Sequence, residues 1–220
     1  MKTVSRLLFL FFAFTISAVS IAQTIGVKAG LNMSNMIMKD DEGTSSDEFK
    51  MNPGFHIGPT VEVSLNDMFS VEAAILFSTN GFKTNQASDG FEYKGKLNNF
   101  YVDLPVTAKV AFPVGGIKIY GELGPYIGMG LTGKSKYEIT YGGETESNTE
   151  TIKWGSDAEN DDFKRLDFGA VAEAGVEISS IRIGVSYGYG LANISSYTEG
   201  GTRVSNRVLG LSVGYTFGAK

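Results

Sequence analysis

Strict alternation of apolar and polar residues recurs about eight times along the chain, and this feature restricts its fold more than any other. From Phe100 to Phe112 every second residue is apolar, whereas Asp103 and Lys109 lie in the intervening series, which also contains Pro105. Successive side chains of a β-strand point to opposite faces, so the pattern predicts strands with one apolar and one polar face. The other seven predicted strands begin near Ile25, Phe55, Phe69, Ile117, Leu166, Ile181 and Leu209.

The connections between these segments alternate between short and long. Tight turns are predicted at Asn66-Asp67, at Pro113 to Gly116 and at Ser179-Ser180. Long polar connections are predicted at Asn35 to Pro53, Asn80 to Gly95, Lys134 to Asp162 and Ser195 to Thr202. Outer-membrane barrels have short periplasmic turns and long external loops. The chain is therefore predicted to be all-β, an eight-stranded antiparallel up-and-down transmembrane β-barrel.

The amino-terminal segment predicts export. Lys2 and Arg6 precede an apolar run from Leu7 to Val19, and small residues follow at Ser20 and Ala22. This order is typical of a secretory signal, and a run of about 13 apolar residues is shorter than the ~20 that a membrane-spanning helix needs. We therefore predict a cleaved signal peptide over residues 1–22 and a barrel domain over residues 23–220, in the outer membrane of a diderm bacterium.

Composition excludes several classes of function. The net charge of -5 and the pI of about 5.0 argue against a nucleic-acid partner, because phosphate binding needs a basic surface. The absence of cysteine excludes disulfides and cysteine metal sites. No cofactor is predicted. The 28 glycines are unusually many, and many of them fall in the polar series of the predicted strands.

Charged residues of the polar series would meet inside the barrel. The interior of an eight-stranded barrel is only just wide enough for side chains, so long charged ones need glycine neighbours. Buried charges are tolerated when they are paired and hydrogen-bonded. We therefore predict an ion-pair network that plugs the lumen, while the apolar series faces lipid. The predicted network comprises Lys28, Glu62, Glu72, Asp103, Lys109, Lys118, Glu122, Asp167, Glu173, Glu177 and Arg182.

Aromatic residues of the apolar series are predicted to form girdles at the two membrane interfaces. They are Phe55, Phe69, Phe77, Phe100, Phe112, Tyr187, Tyr215 and Phe217.

We predict an integral outer-membrane barrel with a structural or interaction role and no enzymatic activity. Three other classes of protein share this pattern. A soluble periplasmic barrel would place the apolar face inside and the charges outside. A small-solute, porin-like channel would leave the polar lumen open. A membrane-embedded enzyme would use lumenal carboxylates or His56, the only histidine of the chain.

Two motifs in the sequence have structural interpretations that we favour. The segment Gly128 to Ser135 matches the phosphate-binding pattern G-x-x-x-x-G-K-[ST], but no helix is predicted after it. We interpret it as a glycine-rich strand that enters a loop. The segment Asp157 to Asp162 begins like a calcium loop, but it lacks the glycine and the glutamate that such loops require. We interpret it as a solvated acidic loop.

Several segments together resemble the PorT-like outer-membrane β-barrel family of Bacteroidetes-type bacteria. They are Gly26 to Ser34, Tyr101 to Val106, Asp167 to Gly169 and Tyr189 to Ile194. The resemblance covers nearly all of the predicted mature chain. It implies an eight-stranded barrel with both ends in the periplasm, and some members of the family take part in protein secretion. The expected partners are outer-membrane lipid and lipopolysaccharide, with envelope or secretion proteins as further candidates.

Overall fold

A computed structural model describes residues 23–41, 43–44, 49–88 and 90–217; the predicted signal peptide lies outside these ranges. Within them the chain forms antiparallel strands and one short 3-10 helix, Glu199–Gly201. The strands are β1 Gln23–Asp40, β2 Gly43–Thr44, β3 Lys50–Ser64, β4 Phe69–Ala74, β5 Leu76–Asn80, β6 Phe82–Ser88, β7 Phe91–Val114, β8 Ile117–Tyr141, β9 Glu144–Thr151, β10 Leu166–Ile178, β11 Ile181–Gly190 and β12 Arg203–Phe217. No helix in the described ranges is long and apolar enough to cross a membrane.

The sheet closes on itself. Strand β1 pairs with β3 on one side and with β12 on the other, and β7, β8, β10 and β11 complete the circuit. Strands β4, β5 and β6 share one register against β7, so they act as a single barrel strand interrupted at Ile75 and Gly81. Ile75 lies opposite Pro59, which has no N–H to donate, and only the bond from the Ile75 N–H to the Pro59 carbonyl forms, at 3.1 Å. The barrel therefore has eight strands, as predicted.

The two faces of the barrel have the predicted orientation. Apolar side chains on the outside are exposed, for example Leu31 at 66%, whereas Lys28 and Glu72 on the inside are 7% and 3% exposed. A soluble barrel would bury the apolar set and expose the charges, so the structure supports a lipid-facing exterior.

The outward aromatic residues fall in two groups. Toward the end with the short turns, which is the periplasmic end in outer-membrane barrels and is called so below, are Phe69, Phe112, Tyr215 and Phe217. In the opposite half are Phe55, Phe77, Phe100 and Tyr187.

The three predicted tight turns are present. Gly115 and Gly116 connect β7 to β8 with φ values of +61° and +102°, a conformation that favours glycine. Ser179 opens the turn between β10 and β11 at φ +54°. Between β3 and β4, the side-chain oxygen of Asn66 accepts hydrogen bonds from the N–H groups of Met68 and Phe69, both at 2.9 Å. Local turn chemistry thus fixes the periplasmic end of the barrel.

The prediction of long polar loops on the opposite side was wrong for most of their length. The region Asn80 to Gly95 contains β6 and the start of β7, and the region Lys134 to Asp162 contains the end of β8 and all of β9. Together they form an antiparallel sheet in the order β6-β7-β8-β9. In this sheet β7 and β8 continue beyond the end of the barrel that is opposite the short turns. We call it the protruding sheet. Its strands form because extended pairing satisfies the backbone N–H and C=O groups of the polar segments.

Candidate functional site

The periplasmic half of the lumen holds a cluster of buried ion pairs, which we call the charge cluster. The guanidinium of Arg182 contacts Glu62 at 2.5 Å and Glu177 at 3.1 Å, and it also bonds to Glu72. The ammonium of Lys109 contacts Glu62 at 3.2 Å and pairs with Glu177. Two cations from different walls of the barrel therefore share two carboxylates.

Lys28 extends the charge cluster toward the middle of the barrel. Its ammonium contacts Glu72 at 3.1 Å and Glu122 and Glu173 at 3.2 Å each. The Tyr120 hydroxyl donates to Glu173 at 2.6 Å. Because Glu72 touches both Lys28 and Arg182, all the buried ion pairs described above belong to one network. Buried charges of this kind persist because each cation has several carboxylate partners.

Glycines make room for the charge cluster. A Cβ added to Gly184 would overlap the Tyr120 hydroxyl and the Glu173 carboxylate. Across β10 and β11, Gly184 lies opposite Gly175, so neither position adds a side chain to the lumen beside these long side chains. The glycine excess is thus explained in part by the volume that ionised side chains occupy.

Eight of the eleven predicted residues join the charge cluster, and three do not. Asp103, which is half-buried, and Asp167, which is buried, lie farther from the periplasm and have no basic side chain in contact among the described residues. Lys118 is exposed and makes no salt bridge within the described ranges, so its placement in the network needs correction. It is the second residue of β8 after the Gly115-Gly116 turn, where the barrel wall ends and the side chain reaches solvent.

His56 lies above the charge cluster. Its Nδ1 is 2.7 Å from the Asn32 side-chain oxygen and its Nε2 is 3.0 Å from the Ser212 hydroxyl. Neither ring nitrogen is oriented by a carboxylate, as a Ser-His-Asp triad requires. A cavity of about 100 Å³ adjoins His56 and is also lined by Glu122 and Asp103.

Farther from the periplasm than the charge cluster, two carboxylates lie on either side of one glycine. Asp103 of β7 and Asp167 of β10 both lie opposite Gly128 of β8. Asp167 accepts hydrogen bonds from Asn206 at 2.9 Å and Tyr126 at 3.2 Å. Asp103 accepts one from the hydroxyl of Ser78. Neutral polar groups thus replace cations as partners in this layer.

An apolar cluster lies at the extracellular end of the lumen, and we call it the cap. Its buried members are Met36, Leu97, Ile152, Ala192, Ile194 and Val204. Trp154 packs against it and meets the ring of Tyr101 edge-on at a centroid distance of 5.7 Å. A Cβ on Gly130 would overlap the Trp154 ring, so the indole lies directly against β8. The cap combines barrel residues with residues from the segments that follow β9 and β11.

Backbone hydrogen bonds attach the cap segments to each other and to the barrel. The N–H of Lys164 donates to the Ile194 carbonyl at 2.8 Å, and the N–H of Ile194 donates to the Val204 carbonyl at 2.9 Å. The N–H of Gly130 donates to the Arg165 carbonyl at 2.7 Å. Sequence reasoning missed the cap, although Ile152, Trp154 and Phe163 stand out as large apolar residues in an otherwise polar connection.

The structure also explains the match to a phosphate-binding motif. Residues 128–135 lie within β8, which continues to Tyr141, so no helix follows them. Their glycines allow close packing: Gly128 beside Asp103, Gly130 beneath Trp154, and Gly133 against Asn99. The interpretation as a glycine-rich strand holds, but this strand continues where a loop was expected.

Carboxylates of the acidic segment Asp157 to Asp162 accept hydrogen bonds from backbone N–H groups of the same loop. Asp161 accepts a hydrogen bond from the N–H of Asp157 at 3.0 Å, and Asp162 accepts one from the N–H of Lys153 at 2.8 Å. The amide of Asn160 donates to Asp157 and lowers the pKa of that carboxyl below its usual value. In the described ranges no group of three acidic or histidine side chains is arranged to hold a metal ion.

Several solved structures are similar to this chain. Ail, the attachment invasion locus protein of Yersinia pestis, is 16% identical, with 88% of this chain and 98% of that chain covered and a TM-score of 0.34. The outer membrane protein OprG from Pseudomonas aeruginosa is 13% identical, with 90% and 97% covered and a TM-score of 0.46. The outer membrane protease OmpT from Escherichia coli is 12% identical, with 91% and 99% covered and a TM-score of 0.33. None of these three indicates a function for this chain.

A comparison with curated protein sequences gave no match. A family model described as an outer membrane protein beta-barrel domain matches residues 21–196, which is most of the chain. The prediction of an outer-membrane location is therefore confirmed, and the chain belongs to the outer membrane protein beta-barrel domain family.

Proposed function

We propose that this barrel is a closed-lumen membrane anchor that presents the protruding sheet to molecules at the cell surface, and that it is neither a channel nor an enzyme. The observation that carries the proposal is that buried side chains occupy the lumen at two separate levels. The charge cluster lies in the periplasmic half, and the cap lies at the extracellular end.

The charge cluster supports a closed lumen because its side chains reach across the barrel. Lys28 comes from β1, whereas its partners Glu122 and Glu173 come from β8 and β10. An ion entering from the periplasm would have to separate these pairs. Breaking a buried ion pair leaves an uncompensated charge, which costs several kcal/mol.

The protruding sheet supports an interaction role. All eight residues of β9 are exposed, and β9 pairs with β8 on one side only among the described strands. An unpaired edge offers backbone N–H and C=O groups to another extended chain. Glu144, Glu146 and Glu150 lie along this edge, so a partner strand carrying basic residues fits it best.

Conductance in planar bilayers tests the closed lumen. We expect no steady ion current through the wild-type barrel. One variant replaces residues 152–163 with a Gly-Ser linker of equal length, and a second replaces all eight residues of the charge cluster with serine (K28S/E62S/E72S/K109S/E122S/E173S/E177S/R182S). Each removes one of the two seals, so we expect both to stay closed. The combination should conduct.

Heat-modifiable migration in detergent gels would establish that each variant is folded. A steady current through the wild-type barrel would overturn the proposal in favour of a small-solute channel.

The resemblance to PorT-like barrels provides a finer proposal. If the chain has their role, the protruding sheet would contact envelope or secretion proteins. Cross-linking in cells from positions on β9, compared with positions on the periplasmic turns, would test this. Recovery of the same partners from both ends of the barrel, or of none from β9, would contradict it.

A further inference from the structure

Lysines from four neighbouring strands stand side by side where the barrel continues into the protruding sheet. Lys50 of β3 lies opposite Lys83 of β6, Lys83 lies opposite Lys96 of β7, and Lys96 lies opposite Lys136 of β8. We call this set the lysine row. Adjacent strands are about 4.8 Å apart, so the row is about 14 Å long. Such a row is notable in a chain whose net charge is -5.

The lysine row lies on the lipid-facing side of the wall. Lys96 has the same strand parity as Phe100, which is outward and 42% exposed, whereas Leu97 between them is inward and buried. Lys136 is likewise exposed, and its neighbour Ser135 lines the space inside the sheet. By strand parity the side chains of Lys96 and Lys136 therefore project outward, and Lys96 also borders the space inside the sheet. Lys83 and Lys50 share the outward face through their pairing with Lys96 and with each other.

The row also lies at a defined height above the lipid-facing apolar side chains of the barrel, of which Phe100 is the last on β7 before the row. Lys96 is four residues beyond Phe100. At about 3.3 Å per residue and a strand tilt of about 40°, this is about 13 Å along the strand and about 10 Å along the barrel axis. Lysine side chains place their stems along apolar surface and their charge at the interface. This height corresponds to the headgroups of the outer leaflet.

The protein supplies few counter-charges. Among the described residues only Lys136 of the row has an ion pair, with Glu138 at 2.7 Å, and Glu138 lies two residues farther from the membrane. A second outward pair, Lys94 with Glu92 at 2.9 Å, also lies beyond the row. Basic groups are thus nearest the membrane and acidic groups farther out. Like charges directly opposite each other on paired strands are unfavourable unless an anion joins them.

We propose that the lysine row binds the phosphate groups of an anionic glycolipid in the outer leaflet, such as the bisphosphorylated lipid portion of lipopolysaccharide. Ammonium groups attract phosphate as point charges, and a row of four can contact two phosphates of one headgroup. The inference rests on the membrane placement of the barrel and does not depend on whether the lumen is closed.

Native mass spectrometry of the barrel, purified in detergent and supplied with bisphosphorylated lipid A, tests the proposal. The row variant is K50Q/K83Q/K96Q/K136Q. The control variant K94Q/K118Q/K153Q/K164Q makes the same change in charge outside the row. We expect the wild-type and control proteins to retain the lipid and the row variant to retain it at least about tenfold less. Heat-modifiable migration should be the same for all three proteins.

Two further probes identify the source of the phosphate. Lipid A without phosphates should not be retained by any of the proteins. Soluble pyrophosphate should not displace the bound lipid at equal concentration; displacement would assign the row to free phosphate and overturn the lipid proposal. Equal retention by the row variant and the wild-type protein would overturn phosphate binding altogether.

Discussion

The two ends of the lumen are occupied by side chains of opposite chemistry. The charge cluster consists of side chains from the barrel strands, and each carboxylate is held by cations that cross from other strands. The cap is apolar, and Ile152, Trp154 and Ile194 come from segments that fold over the barrel end. The charge cluster is therefore part of the wall, whereas the cap depends on segments that lie outside the barrel strands, and we expect it to unfold before the wall does.

The largest expected effect in this comparison is on the charge cluster. Substituting Arg182→Met leaves Glu62, Glu72 and Glu177 with one fewer cation in a buried site. We expect the free energy of unfolding to fall by about 3–5 kcal/mol. Urea unfolding in detergent, followed by circular dichroism of the strands, measures this.

The matched variant R182M/E62Q removes one carboxylate together with the cation. It should recover part of the lost stability, because fewer uncompensated charges remain. If Arg182→Met were as stable as the wild-type protein, the charge cluster would not be an essential part of the wall.

The next largest effect should be confined to the cap. Ile194 is fully buried, and Ile194→Ala should destabilise the packed cap by about 2–4 kcal/mol. Trp154 is the only tryptophan of the chain, so its fluorescence reports on the cap alone. We expect the fluorescence midpoint in urea to fall, while the circular dichroism midpoint shifts little.

Wild-type protein should already show the fluorescence change at lower urea than the loss of strand signal. A common midpoint for both signals, shifted together by Ile194→Ala, would mean that the cap and the wall unfold as one unit.

A smaller effect is expected between the two regions, at His56. Ser212→Ala removes the hydroxyl that lies 3.0 Å from His56 Nε2, which leaves a buried ring nitrogen without this partner. We expect a loss of about 1 kcal/mol in the free energy of unfolding. Ser186→Ala is the control, because Ser186 lines the adjacent cavity but does not contact His56 by a hydrogen bond. Equal losses in both variants would show that the lost stability does not come from the hydrogen bond between Ser212 and His56.

The smallest effect should be at Lys118. Lys118→Gln should change the free energy of unfolding by less than about 0.5 kcal/mol, because the side chain is exposed at the periplasmic rim. Lys109→Gln, in the buried cluster, is the comparison and should be far more destabilising. A cost at Lys118 similar to that at Lys109 would place Lys118 in the network after all.

Most of the barrel could be predicted from local sequence. Alternation along β7 assigned Val102 and Asp103 to opposite faces, and the Gly115-Gly116 turn marked the periplasmic end. The protruding sheet could not be predicted in the same way. Strands β6 and β9 are largely polar on both faces, so alternation gave little signal there and pairing between neighbours reveals them. The end of β8 does alternate, at Tyr137, Ile139 and Tyr141.

The sequence by itself determined that the chain forms two-faced strands joined by tight turns on one side, because strand parity and turn chemistry are local properties. Only the tertiary structure decided which charges meet. The register between strands brings Lys28 to Glu173 and aligns Lys50 with Lys136, and it leaves Lys118 in solvent. Register depends on hydrogen bonding between distant segments and on the closure of the barrel, and neither can be read from one strand alone.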